Sequence, residues 1–85
     1  MYKVVWKKTA LKQLAKIDRT MAKKLADKVE NFLAKDPINR GERLLYKYKG
    51  FYRYRCYDVY RVIYQIRKEE NLILVADAGH RKEIY

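Results

Sequence analysis

Three residues of this 85-residue chain have types and spacings suited to work on an anion, Arg53, Arg55 and Arg61 in "FYRYRCYDVYRVIY". The closing "GHRKEIY" adds His80, Arg81, Lys82 and Tyr85, where a lone histidine is more often structural and a last tyrosine can equally be a frayed terminus. A guanidinium is planar, stays charged, and donates two parallel hydrogen bonds, so arginine suits phosphate better than lysine does. His80, the one histidine, is the side chain whose ordinary pKa allows easy proton exchange near neutrality. The stretch from Phe51 to Tyr64 otherwise reads as strand, and a full positive charge that keeps returning within a strand needs a physical reason.

Alternation places Arg53 and Arg55 on one face of such a strand, with Tyr52, Tyr54 and Cys56 on the other, where the tyrosines pack against helices. The face of Arg61 depends on the hairpin. A three-residue loop, Tyr57-Asp58-Val59, sets Arg61 opposite Arg55, whereas a two-residue loop sends it to the other face unless a bulge intervenes. Opposed like charges in a sheet are destabilising by about 0.2–1 kcal/mol each, a cost that makes sense where an anion binds. The alternative is that the alternation simply marks a solvent face.

The charge balance supports an acidic partner. Lys and Arg total 21 against 10 Asp and Glu, for a net charge of +11. A charge of that size on so short a chain implies nucleic acid, an anionic membrane or an acidic protein, or else a solubilising surface. Residues 1–39 carry +6, residues 40–68 carry +7 and residues 69–85 carry −2, so the middle third is the most one-sided. Neither helical segment pairs a basic face with a long apolar one, which disfavours a membrane surface.

Cys56 has no second cysteine to pair with, and one histidine leaves no Cys/His set of zinc spacing, so neither disulfide, metal, cofactor nor small-molecule ligand is expected. The apolar run in "MYKVVWKK" is too short for a secretory leader, and no stretch approaches the roughly 18 apolar residues of a membrane span, so a soluble, cytoplasmic protein is expected.

The elements that must position these residues fit one domain over residues 1–85, of α+β class. Hydrophobic residues make up 49% of the chain, enough for a folded unit of this length. "YKVVW" reads as a first strand. Ala10, Leu11, Leu14 and Ile17 then fall on one helical face, with Thr9 as N-cap. From Arg19 to Lys35, Ala22, Leu25, Val29, Phe32 and Leu33 recur at helical spacing, and the helix stops at Asp36 because the residue before Pro37 is pushed out of the α region. Asn39 and Gly41 mark turns, and strands follow at 51–57, 60–67 and 72–78. The order is β-α-α-β-β-β: a small, largely antiparallel sheet with a helical hairpin on one face and the other face free.

This order, together with "YRYRCYDVYRVIYQI" and the terminal "GHRKEIY", resembles the RelE/ParE superfamily of toxins, and within it the RelE-like messenger-RNA endonucleases. The resemblance covers essentially the whole chain. It implies a RelE-like microbial ribonuclease fold, cleavage of messenger RNA in the ribosomal A site, and silencing by a cognate RelB-like antitoxin. Position by position, it implies catalytic roles for Arg53, Arg55, Arg61, Arg81 and Tyr85; His80 falls where the family alternates between basic residues and histidine.

Metal-free RNA cleavage needs a base for the 2′-OH proton, cations for the phosphorane, and an acid for the leaving 5′-oxygen. One histidine excludes a two-histidine site. Tyr85 is the implied base; an unperturbed phenol is only about one part in a thousand ionised at pH 7, and neighbouring guanidiniums favour the phenolate. Arg81 is the implied acid or transition-state clamp, and His80 is the better acid by pKa alone. Two other readings compete: a ParE-like toxin acting on DNA gyrase, and a non-catalytic RNA-binding module whose tyrosines stack on bases. Burial of Tyr52 and Tyr54 separates the last from the rest.

Overall fold

The computed structural model describes residues 1–80. Arg81 and Tyr85 lie outside the described residues. The chain forms β1 (Lys3–Trp6), α1 (Lys8–Ala15), α2 (Arg19–Asn31), a 3-10 turn (Leu33–Lys35), α3 (Pro37–Arg40), β2 (Glu42–Arg43), a second 3-10 turn (Tyr46–Tyr48), β3 (Tyr52–Cys56), β4 (Tyr60–Arg67) and β5 (Leu72–His80). The five strands make one mixed sheet in the order β1-β5-β4-β3-β2, with β1 parallel to β5 and the other pairs antiparallel. The expected α+β order is present, with α3 and β2 inserted between helices and meander.

The chain passes from β1 into α1 without a loop. The Lys7 N–H bonds to the Val75 carbonyl and the Leu11 N–H bonds back to Lys7, so Lys7 and not Thr9 is the N-cap, with no side-chain cap bond. Thr9 lies inside the first turn. The helix is also rotated relative to its apolar spacing: Ala10 is buried while Leu11 is exposed, and Gln13 faces the sheet. The reason lies on β5. β1 pairs with β5 only as far as Val75, and beyond that point the Gln13 side-chain oxygen accepts the Ala78 N–H at 2.9 Å, supplying the acceptor a strand would have supplied.

α2 starts on Asp18, whose carboxylate accepts the Met21 N–H at 3.3 Å. It ends at Asn31, four residues before the expected Lys35, and the chain tightens into the 3-10 turn, which buries Leu33 and Ala34. The Ala34 carbonyl then accepts the Tyr2 N–H at 2.9 Å, tying the turn to the start of β1. Asp36 leaves the helical region as Pro37 requires, but Pro37 opens the short helix α3, since a proline in the first helical turn forfeits no bond.

The core lies between the helices and one face of the sheet. Leu25, Val29 and Leu33 meet Val62, Tyr64, Ile73 and Val75, all fully buried, and each such side chain stabilises the fold by about 1.5–3 kcal/mol. The opposite face is not wholly free. Ile63 and Ala76 are buried on it, and the 3-10 turn at Tyr46–Tyr48 reaches over them, leaving a cleft of about 450 Å³ between Ile63 and Asp77 on the sheet and Lys47 and Tyr48 on the turn. The same face carries the arginines of β3 and β4 and, toward β1, Gln65, Leu74 and Val5. Among the described residues, no helix is long and apolar enough to cross a membrane.

Candidate anion site on the sheet

The hairpin between β3 and β4 is the three-residue form. Cys56 pairs with Tyr60, Arg55 with Arg61, Tyr54 with Val62 and Arg53 with Ile63. Tyr57 and Asp58 both take positive φ, 52° and 61°, which turns the chain tightly between them. Arg53, Arg55 and Arg61 therefore share one face. The tyrosine face points inward: Tyr54, Cys56 and Tyr64 belong to the core, Tyr52 and Tyr60 pack against it, and Tyr52 stacks on Tyr64 at 5.5 Å between ring centroids. Burial pushes the Tyr54 hydroxyl up to about 12, so it stays neutral. A buried Tyr54 ring is not available as a stacking platform for bases.

The structure adds a residue that sequence reasoning missed. Glu42 pairs with Arg53 across β2 and β3 and so lies on the arginine face. Its Oε2 accepts from Arg53 Nη2 at 2.7 Å, and Oε1 lies 3.8 Å from Arg55 Nε. The hydrogen bond from Arg53, and then the charges of Arg53, Arg55 and Arg61, hold the Glu42 carboxyl below the usual range, so it is ionised at neutral pH. All three guanidiniums thus act on one carboxylate.

Glu42 is put there by a close backbone contact. The Tyr64 hydroxyl donates to the Pro37 carbonyl at 2.6 Å inside the fold, and a Cβ on Gly41 would lie 1.8 Å from that same hydroxyl oxygen and 3.2 Å from the Arg53 carbonyl. Only glycine lets the chain leave α3, pass over Tyr64 and enter β2 in register with Arg53. No periodic signal marks a two-residue strand, but an acidic residue just after a glycine, in a segment otherwise basic, was the clue available.

His80 is not brought to the arginines. It pairs with Tyr60, and the two rings meet edge to face at 6.0 Å, on the side of the sheet that carries the core. Strict alternation from Leu72 would have put it with the arginines. β5 instead has an extra residue, Ala76, where Ile63 pairs with Asp77 but Tyr64 pairs with Val75, and this bulge exchanges the faces of everything after it. Ala78 therefore enters the core, Gly79 lies opposite Arg61 on the arginine face, and His80 goes inward with Tyr60.

Cys56 carries no chemistry here. It is buried in the core, and burial raises its thiol to about 11, leaving about one part in a thousand as thiolate at pH 8. The native protein is therefore expected to resist iodoacetamide at pH 8 and to react fully once unfolded in urea, as followed by intact mass.

The fold is thus a five-stranded mixed sheet covered by helices on one side and carrying an arginine strip on the other. Residues 4–85 match the family model of the ParE toxin of type II toxin-antitoxin systems, parDE, and the chain belongs to that family, within the RelE/ParE superfamily of type II toxins. Solved structures share the fold. A chain of the RelBE2 toxin-antitoxin complex of Mycobacterium tuberculosis superposes with a TM-score of 0.90 at 23% identity, over 96% of this chain and 93% of that one. The isolated RelE toxin of E. coli gives 0.75 at 24% identity, covering 100% of this chain and 92% of that one. A chain of the archaeal RelE-RelB complex of Pyrococcus horikoshii gives 0.74 at 24%, over 96% and 97% respectively. No curated protein sequence matches the chain.

Proposed function

We propose that this type II toxin is a ribosome-dependent endoribonuclease that cuts messenger RNA in the A site by 2′-OH attack, and that the single domain of residues 1–85 carries the whole site. The observation that supports this most is the hairpin register that sets Arg61 opposite Arg55 on the face of Arg53. Three guanidiniums in adjacent sheet positions match a phosphodiester whose charge grows as the phosphorane forms, and preorganised donors aimed at developing charge are a large source of rate acceleration.

In this reading the 2′-oxygen attacks phosphorus, the bond from phosphorus to the 5′-oxygen breaks, and the products are a 2′,3′-cyclic phosphate and a 5′-hydroxyl. Arg53, Arg55 and Arg61 hold the non-bridging oxygens. Tyr85 takes the 2′-OH proton, as the resemblance to RelE-like toxins implies, and the leaving 5′-oxygen takes its proton from Arg81 acting as the acid or, where Arg81 serves only as a clamp, from solvent water. The placement of His80 beside Tyr60 leads this reading to give His80 no proton step.

The partners follow from the same class. A cognate RelB-like antitoxin, encoded with the toxin, is proposed to silence it in the cytoplasm; a chain of +11 suits an acidic partner. A second reading, a toxin directed at DNA gyrase, is favoured by one observation: the family model that matches bears the ParE name. Induction of the protein in cells separates the two. The ribonuclease reading expects rapid loss of intact messages with cut sites in phase with the reading frame and no DNA-damage response; a damage response with intact messages would establish the gyrase reading.

A further inference from the structure

Glu42 lies against two arginines of the strip at once. Its two carboxylate oxygens address two different guanidiniums, Arg53 at 2.7 Å and Arg55 at 3.8 Å, the arrangement that paired arginines offer to two non-bridging oxygens. We infer that Glu42 is an exchangeable internal counter-ion of the arginine strip, and that a substrate phosphate binds by displacing it. The inference rests on the strip being the phosphate site and adds what holds that site when empty.

Three observations carry it. Arg55 and Arg61 are directly opposed and Arg53 lies on the same face, so without a nearby anion the strip would resist folding. The carboxylate is in the right place to relieve that repulsion. The two partners also differ in freedom: the Arg53 side chain is 18% exposed and therefore held, while the Glu42 side chain is 57% exposed and sits on a strand only two residues long. Glu42 is the member that can swing away without disturbing the core.

An anion placed against these arginines with Glu42 still in position would bring two like charges together, so binding must work against the internal carboxylate. This gives the toxin a stable resting form whose arginines are prearranged yet partly neutralised. It also weights binding towards ligands that bring several phosphates at once, since each additional contact on this basic chain helps to offset the lost ion pair.

The experiment is a calorimetric titration of the wild-type protein, Glu42→Gln, Glu42→Ala and Glu69→Gln, at low ionic strength. Two probes are used separately: inorganic phosphate, and a trinucleotide of 2′-deoxy residues that cannot be cut by 2′-OH attack. Both Glu42 variants are expected to bind either probe about tenfold more tightly than wild type, the effect of one unit charge removed at contact range near the surface. Glu69→Gln removes the same charge from the exposed turn between β4 and β5 and is expected to match the wild type. If both Glu42 variants bind phosphate no more tightly than the wild type, including the case in which none saturates, the inference is overturned. If Glu69→Gln gains as much as they do, the effect is net charge and the inference is likewise overturned. Gains confined to the Glu42 variants in a protein that cuts no message leave the counter-ion in place and remove only the ribonuclease reading.

Discussion

Replacing Arg61 by alanine is expected to slow message cleavage by roughly 10²–10³-fold, the scale of removing one preorganised donor from a developing oxyanion. Arg61 is half-buried in β4, opposite Arg55, so its guanidinium is held by the sheet more than by solvent-exposed rotamers. The loss should fall on the chemical step, seen in single-turnover cleavage at saturating ribosomes. The melting temperature of the variant is measured alongside, so that the loss of rate is read on folded protein. Arg61→Lys is expected to recover only part of the rate, because an ammonium keeps the charge without the two-pronged fork.

The second large effect is structural. Gly41→Ala is expected to destabilise the protein by about 3 kcal/mol, combining overpacking with disturbance of a buried hydrogen bond. The added methyl would lie 1.8 Å from the Tyr64 hydroxyl oxygen, so that hydroxyl must move and its bond to the Pro37 carbonyl must lengthen or break. For a chain of 85 residues, this is a sizeable share of a total stability of roughly 5–15 kcal/mol. Urea unfolding measures it directly. Tyr64→Phe alone is expected to cost about 1–2 kcal/mol through the unpaired Pro37 carbonyl. The double variant should cost less than the sum, because the phenyl ring no longer carries the oxygen that clashes. Additive costs would mean that the two residues do not act through this contact.

Much of the frame was legible because its signals are periodic. The switch from a short β-branched run to helical spacing located β1, α1 and α2, and the alternation of arginine with tyrosine gave the two faces of β3. Sequence alone leaves the hairpin register open between a two-residue and a three-residue loop; the structure has the three-residue loop Tyr57-Asp58-Val59. What escaped depends on contacts between distant segments, which leave no period. β2 is two residues long and exists because Gly41 fits against Tyr64; without it Glu42 has no address, and the glycine before it is the one local hint of a carboxylate among the arginines. The rotation of α1 that exposes Leu11 and turns Gln13 inward is set by a β5 donor that β1 stops short of. The face of His80 is set by the extra residue Ala76, and a strand reading that ended at Ala78 had no means of placing it.

The most direct test of the phosphate-centred account uses programmed ribosomes with a defined codon in the A site, the purified toxin, and two messages that differ by one 2′-deoxy substitution at the cut site. The account predicts cleavage of the all-ribose message to a 2′,3′-cyclic phosphate and a 5′-hydroxyl, and no cleavage of the substituted one. Cleavage that survives the substitution, or a failure to cut either message, would contradict it.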